Sequence, residues 1–279
     1  MRPVLARSVL YLPASNPRAV EKARGVDADV VILDLEDAVA PEMKVEARAA
    51  AVQALAEGGF RGVVGVRVNG LDTPWGAADL KALTAARLIV APKVESAEAV
   101  RALSAALPEA CALWAMIETP AAVLRLDAIA GAGGALDALM FGTNDLSAAL
   151  GCGGSSDREP LKPWLAATVA AARANGLMAI DGVVNGIDDT AGLTAECAQG
   201  RLYGFDGKSL IHPAQIDAAN AAFAPSEPEV AWAREVVAAF SSADAEGKGA
   251  IRVGYRMVER LHLDAAHRLL ARHAACQAG

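Results

Sequence analysis

Short β-branched or leucine-rich segments alternate along the chain with longer stretches rich in Ala, Glu and Arg. The short apolar runs fit buried strands, and the longer stretches have the spacing of amphipathic helices. This alternation is typical of βα units wound around a parallel sheet. The strands are predicted at residues 8–12, 30–34, 63–68, 88–90, 113–117, 139–141, 178–180 and 203–205.

Eight βα units in about 220 residues are what an α/β protein of the (β/α)8 TIM-barrel class requires. A doubly wound dinucleotide fold would instead carry a glycine-rich phosphate turn after its first strand. Here the first turn reads Pro-Ala-Ser-Asn-Pro over residues 13–17. The sequence therefore predicts a TIM barrel with a C-terminal helical extension.

The predicted domain boundary lies near residue 240. Residues 1–240 form the barrel catalytic domain in this interpretation, including a helical run that ends at about Phe240. The glycine-containing stretch 244–249 predicts a hinge, and the periodicity of 257–275 predicts a helix. We therefore expect 241–279 to be a hinge and helical arm that packs on the barrel or on a neighbouring subunit.

Composition narrows the possible partners. The chain of 279 residues is 54% hydrophobic and 21% charged, which excludes a disordered protein. With 26 Lys and Arg against 33 Asp and Glu the net charge is -7, and the scattered basic residues argue against nucleic-acid binding. No apolar run suits a membrane span and no signal peptide is present, so we expect a soluble cytoplasmic protein with no membrane partner. The four cysteines include no C-x-x-C pair, which predicts reduced thiols.

Charged and amide residues follow many of the predicted strands. In a TIM barrel the carboxyl ends of the strands carry the active site. Charges packed there are costly unless they are paired or bound to a metal. The collection is Asp34, Glu36, Asp37, Arg67, Asn69, Lys93, Glu95, Glu118, Asn144, Asp145, Asp181, Asp206, Lys208 and His212.

Glu118 and Asp145 are the best candidate metal ligands. They follow the fifth and sixth predicted strands in short loops. A hard cation such as Mg2+ takes one or two protein carboxylates and leaves its other positions to water and substrate. Arg67 then supplies a clamp for a carboxylate or a developing enolate. The alternative for either acid is that it caps the following helix.

Three acids near the second strand leave two interpretations open. Glu36 and Asp37, with Asp34, are either candidate catalytic groups or partners that orient Arg67 or Lys93. Lys93 is a candidate substrate-binding residue and, alternatively, the nucleophile of a metal-free Schiff-base aldolase. A simple ion pair with Glu36 or Asp37 accounts for Lys93 more directly.

A series of short motifs follows in a regular order from about residue 7 to residue 240. Its members are RSVLYLP at 7–13, ILDLEDAV at 32–39, VRVN at 66–69, PKVE at 92–95, AMIETP at 115–120, GFDGK at 204–208 and IHP at 211–213. Together they resemble the citrate lyase β-subunit family, which includes malyl-CoA and citramalyl-CoA lyases within the HpcH/HpaI aldolase superfamily.

The resemblance implies a barrel enzyme that depends on Mg2+, with Mn2+ as the alternative ion. It implies cleavage of a 3-hydroxyacyl-CoA to acetyl-CoA and a 2-oxo acid. Glu118 and Asp145 match the metal ligands of the family, and Arg67 matches the arginine that contacts the oxo acid and stabilises the enolate. Residues at positions where relatives contact CoA are Tyr11, Asn16 and Lys22, with Asn16 standing where some malyl-CoA lyases have Arg.

The C-terminal tail departs from the family pattern. Lyases of the family carry a Met-Ile/Val-Asp motif whose acid handles a proton, often in a neighbouring subunit, and this chain has Met257-Val258-Glu259. Glu259 is therefore a candidate catalytic acid displaced by one methylene. Asn144 stands where many relatives have Glu beside the ligand Asp145. Relatives form trimers or hexamers, so we expect a homotrimer or homohexamer.

Several functions remain open at this point. The first interpretation is a lyase acting on malyl-CoA or citramalyl-CoA. The alternatives are a citrate lyase β-subunit acting on a citryl thioester of an acyl-carrier protein, a malyl-CoA-type thioesterase, and a metal-dependent pyruvate aldolase that needs no CoA. A non-catalytic scaffold is the last alternative, and the intact set of Arg67, Glu118 and Asp145 argues against it.

Overall fold

The computed structural model describes residues 5–153, 157–242 and 248–278. Within these ranges, eight parallel strands form a closed barrel in which each strand pairs with the next and the last pairs with the first. This confirms the predicted TIM-barrel class. The strands are β1 (Ser8–Pro13), β2 (Val30–Asp34), β3 (Val63–Arg67), β4 (Leu88–Ala91), β5 (Ala112–Ile117), β6 (Leu136–Phe141), β7 (Met178–Asp181) and β8 (Gly207–Leu210).

Helices follow the strands and cover the outside of the barrel, as βα units require. Both faces of the strands are therefore buried, and β2 is buried along its whole length. The helices are α1 (Pro17–Ala23), α2 (Lys44–Glu57), α3 (Gly76–Ala82), α4 (Ala97–Ala106), α5 (Pro120–Val123), α6 (Leu126–Ala130), α7 (Thr143–Leu150), α8 (Lys162–Ala174), α9 (Thr190–Tyr203) and α10 (Ile216–Phe223), with short 3-10 turns at Pro41–Met43, Glu159–Leu161 and Pro213–Gln215.

The prediction for the eighth strand is wrong. Residues 203–205 end helix α9, because Gly204 adopts a left-handed conformation with φ of 96° and terminates it. The strand itself is Gly207–Leu210, whose sequence Gly-Lys-Ser-Leu lacks an apolar run. Lys208 is fully buried there because its ammonium group lies 2.9 Å from Asp181 and 3.1 Å from Glu196. Strand β8 therefore lacks the apolar sequence pattern by which strands are predicted, and a long-range ion pair compensates the charge buried in it.

Residue contacts divide the chain into a barrel unit, Ala6–Phe223, and a C-terminal unit that begins at Ala224. The C-terminal unit contains α11 (Glu227–Phe240), the antiparallel strands β9 (Ala250–Val253) and β10 (Arg256–Glu259), and α12 (Arg260–Ala278). Helix α11 packs against α12 and so groups with the tail, whereas the sequence interpretation assigned it to the barrel domain.

The tail prediction needs a correction. Residues 257–259 lie in strand β10 and not in a helix, because Met257 and Glu259 pair with residues of β9 across the turn at Gly254. The terminal helix then begins at Arg260. Most of the predicted hinge, residues 244–247, lies outside the described residues.

No helix in the described ranges is long and apolar enough to cross a bilayer. The cysteines of the chain are free thiols, and Cys111 and Cys197 are buried. Burial raises the pKa of each of these two thiols to about 11, which keeps them protonated and unreactive at neutral pH.

Candidate active site

Arg67 is held rigidly at the carboxyl end of β3. Asp34 is its neighbour in the β2–β3 register, and its two carboxylate oxygens accept from Arg67 Nε at 2.7 Å and Nη2 at 2.6 Å. Asp34 also accepts the backbone N–H groups of Glu36 and Ala38. Burial lowers the pKa of Arg67, but the bonds and charge of Asp34 outweigh it and raise that pKa further above its usual value. The guanidinium is therefore a permanent cation in one orientation.

Glu36 links Arg67 to Lys93. One Glu36 oxygen lies 2.9 Å from Arg67 Nη1, and the other accepts from Lys93 Nζ at 2.6 Å. Asp37 is more distant, at 3.7 Å from Arg67 Nη1 and 3.9 Å from Lys93 Nζ. Burial lowers the pKa of Lys93, yet the bond to Glu36 outweighs it and raises that pKa above its usual value. A charged ammonium is a poor nucleophile, which disfavours the Schiff-base alternative.

Lys93 also orients Glu118 through its backbone. It adopts a left-handed conformation with φ of 51°, which is unusual for a residue with a side chain. In this conformation its N–H donates to a Glu118 oxygen at 2.7 Å, while its ammonium group reaches Glu36. Strain of this kind persists only where surrounding contacts impose it, and it clusters at functional sites. The backbone of Lys93 thus fixes one oxygen of Glu118.

Glu118 and Asp145 follow the adjacent strands β5 and β6. Glu118 is only 1% exposed, and its burial raises its pKa to about 8, with the Asp145 carboxylate adding to the rise. Gly142 lies between them, where a Cβ would overlap the Cβ of Glu118. Only glycine fits at position 142, directly after β6, because any side chain there would displace Glu118.

The donor set at this position fits a hard divalent cation. No group of three or more His, Cys, Asp or Glu is placed to hold a metal in the described part of the chain. Two carboxylates on neighbouring loops are nonetheless the number that Mg2+ ordinarily takes from a protein. Asp145 forms no hydrogen bond or ion pair with any described residue. The backbone N–H of Lys93 occupies only one of the two Glu118 carboxyl oxygens. Glu118 and Asp145 therefore both have oxygens available to a cation.

Arg67, Glu118 and Asp145 share one cavity of about 440 Å3 at the carboxyl end of the barrel. Glu36 and Lys93 line a separate cavity beside it, so the predicted contact of Lys93 with substrate stays a prediction. Tyr11 contributes its ring, whose centroid lies 5.1 Å from the guanidinium carbon of Arg67. Burial raises the pKa of the Tyr11 hydroxyl above its usual value, so the hydroxyl keeps its proton. The wall comprises Tyr11, Leu12, Pro13, Asp34, Asp37, Ala38, Arg67, Met116, Glu118, Phe141, Gly142, Thr143, Asn144, Asp145, Val183, Ser209 and Ile211.

The sequence interpretation named Asn144 without its hydrogen-bond partner and gave no role to Thr143 or Met116, which also line this cavity. Asn144 forms a reciprocal amide pair with Asn185, at 3.1 and 2.8 Å, which ties the loop after β6 to the loop after β7. Thr143 has a buried hydroxyl oxygen without a hydrogen-bond partner in the described structure. Met116 also lines the cavity and was included in the sequence analysis only within the AMIETP motif at 115–120. No local pattern marks these residues, because loops from different strands assemble them.

Two predicted residues, Asn16 and Lys22, are not among the residues that line this cavity. Asn16 caps helix α1, where its side-chain oxygen accepts from the Ala19 N–H, and Lys22 is exposed in the last turn of that helix. Glu259 ends strand β10 in the C-terminal unit, is exposed, and its N–H donates to His262. The proposed roles of these residues stay predictions.

The fold and the cavity at the carboxyl ends of its strands define a class of protein. It is a TIM-barrel protein whose cavity holds two carboxylates suited to a cation and one arginine fixed by ion pairs. The family model for HpcH/HpaI aldolase/citrate lyase matches residues 7–213. The chain therefore belongs to this family, as the motifs predicted.

Two curated relatives and one solved structure cover nearly all of the chain. It is 46% identical over 276 residues to a (3S)-malyl-CoA thioesterase of Cereibacter sphaeroides, covering 98% of this chain and 96% of that protein. It is 35% identical to an L-malyl-CoA/beta-methylmalyl-CoA lyase of the same species, with coverages of 91% and 90%. The structure of CitE from Mycobacterium tuberculosis, in complex with magnesium, acetoacetate and coenzyme A, matches with a TM-score of 0.79 and 33% identity over 98% of this chain and 99% of that one.

Proposed function

We propose that this protein is a divalent-metal-dependent enzyme that hydrolyses a malyl-type CoA thioester to the free hydroxy acid and CoA. The observation that carries the proposal is that Arg67, held in place by Asp34 and Glu36, lines the same cavity as the acid pair Glu118 and Asp145. Such a cavity suits a short dicarboxylate acyl group, because Arg67 can bind a carboxylate while the acids hold a cation. The 46% identity to a malyl-CoA thioesterase favours hydrolysis over the carbon–carbon cleavage expected from the motifs.

Glu118 and Asp145 would hold Mg2+, and the bound ion would supply positive charge to polarise substrate oxygens. Arg67 would orient the substrate carboxylate, while Asp34 and Glu36 keep the guanidinium from rotating. In hydrolysis, the oxygen of water bonds to the thioester carbon, the carbon–sulfur bond breaks, and the CoA sulfur leaves with the electron pair and takes a proton.

Lyase activity is the second candidate, because the same arginine and acid pair would serve it and a relative at 35% identity carries that name. In cleavage the malyl hydroxyl loses its proton and its oxygen becomes the carbonyl oxygen of glyoxylate. The bond between the two central carbons breaks, and its electron pair stays with the acetyl-CoA enolate. The enolate must then gain a proton, and Glu259 is the predicted acid. Its position in an exposed strand end leaves this role a prediction.

Mass analysis of the products separates the two reactions. The purified protein is incubated with (3S)-malyl-CoA and Mg2+, with and without EDTA, and citramalyl-CoA and 3-hydroxy-3-methylglutaryl-CoA serve as comparison substrates. Malate and free CoA, lost with EDTA, would support the thioesterase, whereas acetyl-CoA and glyoxylate would identify the lyase. Turnover that survives both EDTA and Glu118→Gln would contradict the metal site. Glu98→Gln, an exposed change on α4, is the matched control.

A further inference from the structure

The hydroxyl of Tyr11 forms only weak hydrogen bonds, although it lies inside the cavity. Tyr11 lies on β1 with its side chain in the wall of the cavity. Its hydroxyl faces the sulfur atoms of Met116 at 3.9 Å and Met140 at 3.7 Å. A thioether is a poor hydrogen-bond acceptor, so most of the donor capacity of this hydroxyl is left for another group.

Arg67 points a second donor at the same sulfur. Its Nη1 lies 3.8 Å from Met116 Sδ, and the Tyr11 ring packs over its guanidinium. The phenol and the guanidinium therefore converge on one part of the cavity wall, a few ångströms from each other. A substrate oxygen placed beside Met116 would accept from the Tyr11 hydroxyl far better than sulfur does, while the adjacent guanidinium remains available for the substrate carboxylate.

We propose that the Tyr11 hydroxyl is a catalytic donor that binds the substrate oxygen on which negative charge develops. The proposal deepens the proposed function and rests on it. When water adds to the thioester carbon, the carbonyl oxygen takes up the displaced electron pair, and Tyr11 hydrogen-bonds to that oxygen without giving up its proton. The pair returns to re-form the carbonyl as the carbon–sulfur bond breaks. Tyr11 thus contacts the reacting end of the substrate, beyond the CoA contact that the resemblance implies.

A purely structural hydroxyl would behave differently. If the phenol served only to pack the barrel, its removal would change the stability of the fold and leave the chemical step alone. If it binds a developing negative charge, its removal would slow the chemical step and leave substrate binding and folding nearly unchanged, because only two weak sulfur contacts are lost.

The test compares Tyr11→Phe with wild type and with Tyr203→Phe, which removes a phenol at the end of α9, away from the cavity wall. The rate of (3S)-malyl-CoA turnover and the thermal midpoint are measured for all three. We expect kcat of Tyr11→Phe to fall roughly 10- to 100-fold, with KM within about threefold of wild type and an unchanged midpoint. Tyr203→Phe should match wild type in kcat.

Other outcomes overturn the inference. Retention of kcat within about twofold, or a lowered midpoint or loss of folding in Tyr11→Phe, would assign the hydroxyl a structural role. An active wild type with an equally active Tyr11→Phe refutes this inference alone. A wild type that neither hydrolyses nor cleaves the malyl thioester refutes the proposed function, and the inference with it.

Discussion

Replacing Asp34 by Asn tests whether the rigidity of Arg67 matters for activity. The amide keeps the shape of the side chain, but in either orientation its NH2 would face one guanidinium donor, Nε or Nη2, where carboxylate oxygens now accept at 2.7 and 2.6 Å. Two donors at that distance repel each other, so the guanidinium must turn or shift. Glu36 remains as an ion-pair partner at 2.9 Å, and it would draw the guanidinium toward itself.

The magnitude follows from burial and geometry. Asp34 and Arg67 have side chains that are 1% and 10% exposed, so removing one charge costs roughly 3–5 kcal/mol of stability, and the Glu36 contact favours the lower end. A displacement of a substrate-positioning group by about 1 Å lowers the rate by roughly 100-fold. That loss corresponds to about 2.7 kcal/mol in the activation free energy.

The chain offers a matched control at the other end of the barrel. Arg7 and Asp29 form the same two-pronged pair, at 2.9 and 2.8 Å, just before β1 and β2 begin. Asp29→Asn should cost about 1.5–3 kcal/mol of stability and leave kcat/KM unchanged. Urea unfolding and steady-state kinetics are measured on both variants.

The comparison of the two variants decides the matter. If Asp34→Asn keeps kcat/KM within about twofold of the Asp29→Asn value while folded, the brace on Arg67 is structural only. If both variants lose activity together, the loss follows stability and not the orientation of Arg67. Only a loss confined to Asp34→Asn supports the positioning role.

Two further predictions concern buried charges. Lys208→Met should cost about 3 kcal/mol by urea unfolding, because the pair that Lys208 forms with Asp181 is fully buried. Lys162 forms its ion pair with Asp157 at the surface and is partly exposed, so Lys162→Met should leave the midpoint nearly unchanged. Burial would raise the pKa of Asp181, but the charges of Lys208 and Arg158 outweigh burial and lower that pKa. The ionised Asp181 therefore stabilises the fold at neutral pH, and this contribution is lost as the pH falls through its lowered pKa. Lys208→Met should consequently unfold at a higher pH than wild type during acid titration. Burial raises the pKa of Glu118 to about 8, so its carboxyl group is mostly protonated at pH 7 and mostly ionised at pH 9. Mg2+ binding should therefore release close to one proton at pH 7 and far fewer at pH 9. Titration calorimetry in two buffers of different ionisation enthalpy measures this release.

Each of these predictions has a clear contrary result. Equal acid midpoints for wild type and Lys208→Met would show that Lys208 does not hold the pKa of Asp181 down. Proton release that is independent of pH, or unchanged in Glu118→Gln, would show that Glu118 does not exchange its proton for the ion.

Local sequence was sufficient to predict the barrel and to select three charged residues that the structure brings to one cavity. Alternating apolar and helical segments predicted seven of the strands within about three residues, because a strand buried on both faces must be apolar throughout. Charges after those strands marked Arg67, Glu118 and Asp145, because a parallel barrel brings all carboxyl ends of its strands to one edge.

Tertiary structure decided what depends on contacts distant in sequence. The register that sets Asp34 beside Arg67, and the backbone of Lys93 that donates to Glu118, arise only when neighbouring strands pair. Lys208 occupies a strand against its local propensity because Asp181, 27 residues away, compensates its buried charge. Sequence periodicity reports local preference, whereas pairing, strain and buried ion pairs are set by the closed barrel, and they determine how the site is held together.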